Sequence, residues 1–248
     1  MAKQPFVRME NIRKSYGHVE ALKGVDFDVM HNEIVGLVGD NAAGKSTLIK
    51  VLSGAIKADS GKIFLNGDEQ KITNPADSRN LGIETVYQTF ALVDNLPIYS
   101  NIFLGRLLTK KILGFLPLLN KNSMIKNTWE VLKLTEINFD SVKRRVSDLS
   151  GGQRQAVAIA RSMFFNPRLL ILDEPTAGLA VKELKIIEDT ILNLKSKGIS
   201  IIFISHRLES IFRTATRIVV LRSGKKVMDK ESKNLTMKEV VEKMFGLE

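Results

Sequence analysis

Nine consecutive residues, Gly39-Asp40-Asn41-Ala42-Ala43-Gly44-Lys45-Ser46-Thr47, have the composition and spacing to hold phosphate. They fit the pattern GxxxxGK[ST], and they lie between a short apolar run, 34–38, and a segment that reads as a helix. In that setting the turn's backbone N–H groups point inward at phosphate oxygens, and the helix N-terminus adds its positive dipole end. Lys45 can reach the terminal phosphates as a point charge, and the Ser46 hydroxyl can coordinate Mg²⁺. A glycine turn before a helix can be mere punctuation, but the strand before it and the helix after it argue for a phosphate cradle. Ala42 stands where related loops often carry glycine, which alanine tolerates if φ is negative there.

Three other expected strands end in residues suited to the same chemistry. The run 169–172 leads into Asp173-Glu174. Adjacent side chains on an extended chain point to opposite sides, so the two carboxylates can take different tasks. Asp173 suits a Mg²⁺ shell, and Glu174 suits polarising an attacking water. The run 200–205 ends in His206, one of three histidines in the chain, placed to hydrogen-bond a terminal phosphate. The run 83–87 ends in Gln88, whose carbonyl oxygen can contact a metal or its water. In open α/β sheets ligands sit beyond the carboxyl ends of the strands, so these endings belong to one expected site.

A further anion-binding turn is encoded by Leu149-Ser150-Gly151-Gly152-Gln153, with two glycines at the start of a helix expected over 151–165. It lies outside the strand–turn–helix unit that carries Lys45. One nucleotide is not easily held by both turns of a single molecule if each belongs to a different subdomain. A two-fold dimer, with each nucleotide between one copy's phosphate loop and the other's glycine turn, resolves this.

The elements that must position these residues follow from periodicity. Alternation over 6–12 and 21–29 predicts two strands with Tyr16-Gly17-His18 between them. A helix over 45–53 closes at Gly54, and a strand over 62–65 ends at the turn Asn66-Gly67. Apolar residues at helical spacing, including Met124, Val131 and Leu132, mark 89–147 as a helical insertion. An amphipathic helix over 183–196 joins the continuous apolar strands 169–172 and 200–204 as a parallel crossover. Strands over 218–221 and 226–228 and a helix over 236–245 complete the chain.

The composition narrows the field further. The chain has 248 residues, 44% hydrophobic and 26% charged, as in an ordinary globular protein. It has no cysteine, which excludes disulfides, thiolate catalysis and iron–sulfur clusters. No apolar stretch approaches the ~20 residues of a spanning helix; the longest candidate, 112–119, contains Gly114 and Pro117. The start of the chain, 1–10, has no signal-peptide core. Net charge is +10, yet basic and acidic residues are interleaved and no lysine run exceeds two, so a solvated basic surface is expected rather than a nucleic-acid arm.

GDNAAGKST, Gln88, LSGGQRQ, LLILDEP and ISHR, in this order, resemble the ABC ATPases across nearly the whole chain. The resemblance implies an α/β fold: a P-loop NTPase core with a parallel sheet, an N-terminal antiparallel β subdomain and an inserted α-helical subdomain. It implies a nucleotide-binding core of 1–88 and 157–248 and a helical subdomain of 89–156 carrying the signature turn. By the same resemblance Tyr16 stacks on adenine, Ser150, Gly151, Gly152 and Gln153 contact the partner's ATP, and Gln88 with the helical insertion faces a permease. ATP and Mg²⁺ are the implied ligands. A second copy, transmembrane permease subunits and, indirectly, a substrate-binding protein are the implied partners, at the cytoplasmic face of the membrane, with no nucleic acid. The stretches GDNAAGKSTLIKVLSG, VYQTFALVDNLPIYSNIFLGR and DEPTAGLAVKE look like the bacterial importers of simple sugars of the ribose, xylose and fructose type. Alternatives are an exporter ATPase, a soluble ABC ATPase acting on nucleic acid or ribosomes, and a non-hydrolysing regulatory cassette; intact Lys45, Asp173, Glu174 and His206 argue against the last. Ala180 departs from the aspartate most of the family carries, which bears on coupling between two sites.

Overall fold

The computed structural model describes residues 4–89, 91–112 and 116–247. Two compact units emerge. One comprises Met1–Gln88, Pro167–Pro175 and Leu194–Glu248; the other comprises Thr89–Asn166 and Thr176–Asn193. The segment 157–248, expected to belong wholly to the core, is thus divided: 157–166 and 176–193 pack in the second unit.

In chain order, β1 (Val7–Tyr16) and β2 (Val19–Val29) form an antiparallel hairpin, then β3 (Ile34–Val38) and α1 (Lys45–Leu52) follow. Next come β4 (Ser60–Leu65), β5 (Asp68–Gln70), α2 (Pro75–Asn80) and β6 (Ile83–Val86). The second unit contributes α3 (Ile98–Ile102), β7 (Thr109–Ile112), β8 (Leu116–Leu119), α4 (Lys121–Leu132) and α5 (Gly151–Met163). The chain continues with β9 (Leu169–Asp173), α6 (Val181–Ser196), β10 (Ser200–Ile204), α7 (Leu208–Thr214), β11 (Arg217–Arg222), β12 (Lys225–Glu231) and α8 (Met237–Phe245).

The first unit has two sheets. One is antiparallel in the order β2-β1-β4-β5. The other runs β12-β11-β3-β10-β9-β6, with parallel pairing throughout except for the antiparallel edge strand β12. Strands β3 and β10 are buried at every residue, as expected where both faces of a parallel sheet are covered. One core spans both sheets: Phe6, Ile12 and Phe27 from the antiparallel sheet share it with Leu37, Ile171, Ile204 and Leu221 from the parallel one, and with Leu48 and Leu52 of α1.

Arg217 at the start of β11 fastens these layers. Its Nε donates to Glu33 (2.8 Å), one terminal nitrogen to Asp229 (2.8 Å), and the other to the Asp28 carbonyl oxygen (2.7 Å) and carboxylate (3.1 Å). Burial disfavours its charge, but Glu33 and Asp229 outweigh that, and its pKa lies above the ordinary arginine value.

The second unit has its own core, built from Ile98, Ile102 and Phe103, Met124 and Leu132 of α4, and Ala156, Val157 and Ala160 of α5. Asn101 is fully buried there and ties down the preceding loop, accepting from Val93 N (2.7 Å) and donating to Val93 O (3.0 Å). The insertion is not wholly helical. The apolar run 112–119 falls largely on the hairpin β7–β8, and residues 113–115 lie outside the described residues. Leu118 and Leu119 are each 45% exposed, so this part of the run is not buried in the insertion's core. Among the described residues no helix is long and apolar enough to cross a membrane.

Candidate functional site

The phosphate loop emerges from β3, the strand between β11 and β10, and feeds directly into α1. Gly44 caps α1 at φ 105°, and a Cβ there would lie 2.8 Å from the Ala21 carbonyl oxygen, so both conformation and space demand glycine. Ala42 has φ +60°, so the condition of a negative φ is not met: the loop holds this alanine in the left-handed region, at a cost to the backbone. Ala43 N donates to Asp40 O (3.2 Å), closing the turn.

Lys45 is folded into its own loop. Its Nζ donates to Gly39 O (2.7 Å) and Asp40 O (3.0 Å), and the residue is 7% exposed. Burial lowers its pKa, while Glu174, Asp173 and Asp40 work to keep the proton.

Glu174 follows β9 with φ +53°, a second strained non-glycine position, stabilised by its N–H donating to Ile204 O (3.0 Å). Its carboxylate is mostly buried; one oxygen accepts from His206 N (3.3 Å) and the other lies 3.3 Å from His206 Nε2. Burial raises the pKa of Glu174, with His206 opposing. Burial also raises that of Asp173, opposed by Lys45, Lys50 and His206. Two carboxyl groups with raised proton affinity beside a lysine with lowered affinity mark a site tuned for proton and charge chemistry.

These groups meet around one open cleft of about 560 Å³ in the first unit. Its lining includes Tyr16, Asn41 to Thr47, Gln88, Asp173, Glu174 and His206. The volume suits a small organic ligand. Gly39 and Asp40 are not part of the lining; their carbonyls hold Lys45. Val19, Glu20, Ala21, Lys23 and Ser223 also line the cleft and were not singled out from sequence, where no local pattern marks them. Tyr16 is 48% exposed, open to a flat ring on its face.

The donor set fits Mg²⁺. Ser46 hydroxyl, Gln88 carbonyl oxygen and Asp173 carboxylate are hard oxygen ligands on one cleft. Among the described residues no cluster of three or more His, Asp or Glu side chains makes a metal site by itself. That suits a cation that depends on phosphate oxygens for much of its shell.

The signature turn lies in the second unit and is not part of the cleft's lining. Ser150 caps α5: its Oγ accepts from Gln153 N (3.3 Å), and Gln153 Oε1 accepts from Ser150 N (3.2 Å), a reciprocal capping box. Gln153 is therefore engaged in holding the turn. Glu183 of α6, which sequence reasoning missed, also reaches this turn: Ser150 Oγ donates to it at 2.9 Å and Gly152 N at 3.2 Å. No local pattern could have revealed that contact across more than thirty residues.

Comparison with known proteins identifies the family. Residues 22–177 match the family model described as ABC transporter. The chain is 41% identical over 238 residues to a xylose/arabinose import ATP-binding protein of Sulfolobus acidocaldarius, covering 96% of this chain and 93% of that one. It is 40% identical to a fructose import ATP-binding protein of Rhizobium meliloti, covering 99% and 96%. It matches a ribose import ATP-binding protein of Yersinia pestis at 39% identity over 99% of this chain but only 47% of that longer protein. Among solved structures, a nucleotide-free ATP-binding cassette from an ABC transporter superposes with a TM-score of 0.84 at 27% identity, covering 96% and 95% of the two chains. A dimeric bacterial ABC transporter cassette gives 0.75 at 26% identity, covering 91% and 98%. With a strand–loop–helix phosphate cradle, two carboxylates and a histidine on one cleft, and the xylose/arabinose and fructose relatives matched over nearly their whole length, the chain belongs to the ABC transporter family as one of its ATP-binding, ATP-hydrolysing cassettes.

Proposed function

We propose that this chain powers a membrane importer of simple sugars, working as a pair of copies on the cytoplasmic face of the membrane beside permease subunits. The observation that carries the catalytic part is the convergence of Lys45, Ser46, Gln88, Asp173, Glu174 and His206 on one cleft. The import names of relatives that are about 40% identical over nearly their whole length support the transport part.

In this reading ATP lies with its adenine against Tyr16 and its phosphates in the Gly39–Thr47 turn. Lys45 exchanges its carbonyl partners, Gly39 O and Asp40 O, for phosphate oxygens, which are stronger acceptors for an ammonium. Ser46, Gln88 and Asp173 would hold Mg²⁺, which neutralises charge on the terminal phosphates when bound. Glu174 orients the attacking water and takes its proton; the raised proton affinity that burial gives this carboxylate suits the task. His206, at the end of β10, donates to the γ-phosphate and holds Glu174 in place through its backbone N–H. The partner's Ser150, Gly151, Gly152 and Gln153 close over the γ-phosphate, so each site is complete only with two copies.

Glu174→Gln tests this directly. It should bind ATP as the wild type does, lose hydrolysis by a factor of about 10² or more, and form a dimer with Mg·ATP. Normal turnover in this variant would remove Glu174 from the chemistry.

A further inference from the structure

We propose that Glu183 is an internal occupant of the signature turn's anion site, released from Ser150 and Gly152 when the partner's nucleotide arrives. The inference rests on the shared-site reading above. Gly152 N–H is one of the first four amides of α5, which have no acceptor within the helix. It points at Glu183 Oε1 (3.2 Å), and the same oxygen accepts from Ser150 Oγ (2.9 Å). A Cβ on Gly152 would lie 3.0 Å from both Cγ and Oε1 of Glu183, so the close approach of the carboxylate itself needs a glycine there.

Ser150 has one hydroxyl proton. It is given to Glu183 while the oxygen accepts from Gln153 N, so it cannot also be given to a phosphate. Two anions sharing one donor set repel, and the site is therefore a competition between a side chain and a nucleotide. The hydrogen bond from Ser150, desolvation notwithstanding, lowers the Glu183 pKa and keeps it anionic at neutral pH.

The carboxylate has somewhere else to go. It is the third residue of α6, and its Oε2 already accepts from Ala180 N (3.3 Å) at that helix's start. This is half of a capping box whose other half is missing, because the Ala180 methyl carries no oxygen to accept from the Glu183 backbone N–H. Glu183 thus bridges two helix N-termini, and it can keep the α6 contact while giving up the signature turn. Since α6 begins seven positions after Glu174, the exchange links the signature turn to the segment that follows the proposed base.

The test uses the full chain in the Glu174→Gln background, measuring the ATP concentration that half-converts monomer to dimer by analytical ultracentrifugation. Glu183→Gln keeps the shape but removes the charge, and should lower that concentration about fivefold, the difference between a charge-assisted and a neutral hydrogen bond. Glu183→Asp, too short to bridge both helices, should shift it the same way and decides the matter if the glutamine variant fails to fold. An unchanged or raised midpoint in the folded variants makes Glu183 a plain support of the turn and overturns the proposal. If Glu174→Gln alone stays monomeric with saturating Mg·ATP, the shared-site reading itself fails, and this inference falls with it.

Discussion

Replacing Ala42 by glycine should make the protein more stable. Ala42 sits at φ +60° in the phosphate loop, exposed, with its turn closed by the Ala43 N to Asp40 O hydrogen bond. An L-residue pays about 1–2 kcal/mol in that region, which glycine escapes. Glycine returns about 0.4–1 kcal/mol through the greater freedom of the unfolded chain. The surplus is about 0.5–1 kcal/mol in favour of Ala42→Gly, or a rise of about 1–4 °C in the melting temperature for a chain of this size. Scanning calorimetry and urea titration should agree, with a higher urea midpoint and an unchanged slope. Because the alanine methyl donates nothing to a phosphate, ATP affinity by titration calorimetry should be at least that of the parent. A lower melting temperature in Ala42→Gly would mean that the loop does not hold position 42 in the left-handed region, and the strain reasoning would be wrong.

Lys45→Ala removes the one cation that can leave the loop carbonyls for a nucleotide, and should weaken ATP binding by about 10- to 100-fold in a calorimetric titration. Arg217→Ala strands Asp28, Glu33 and Asp229 around a half-buried gap and should cost about 2–4 kcal/mol in urea unfolding; a loss under 1 kcal/mol would demote that ion network. Glu174 binds its proton more tightly folded than unfolded, so its contribution to stability falls as pH rises from the ordinary glutamate value through the raised folded one. Glu174→Gln should remove that component and be at least as stable as the parent at pH 7, measured as melting temperature against pH. For the same reason the acid limb of ATP hydrolysis should lie above the ordinary carboxylate range.

Much of the candidate site was legible in the sequence because its parts are local. The loop Gly39–Thr47 declares itself by spacing, and Asp173, Glu174, His206 and Gln88 lie at or within two residues of the carboxyl ends of β9, β10 and β6, so a parallel sheet delivers them to one edge. What escaped was tertiary or conformational. Residue type does not report φ at Ala42 or Glu174. The hairpin β7–β8 was hidden because a short apolar run reads equally as strand or helix. Short helices such as α2 and α7 lack the two turns that periodicity needs. Glu183 meets Ser150 only because folding brings α6 to the start of α5.

The shared site is tested most directly by complementation between two inactive variants. Lys45→Ala spoils the phosphate loop but keeps the signature turn, and Gly151→Asp sets a negative charge at the signature turn but keeps the loop. A Cβ at Gly151 meets a Leu179 methyl at 3.2 Å and the position needs no positive φ, so the second change asks that this flexible side chain give by a few tenths of an ångström. Each variant alone should hydrolyse no ATP. Mixed in equal amounts, half of the dimers pair one of each and carry one intact composite site, so about a quarter of wild-type phosphate release should return. Activity in either variant alone, or none in the mixture, would contradict a nucleotide site built from two copies of this chain.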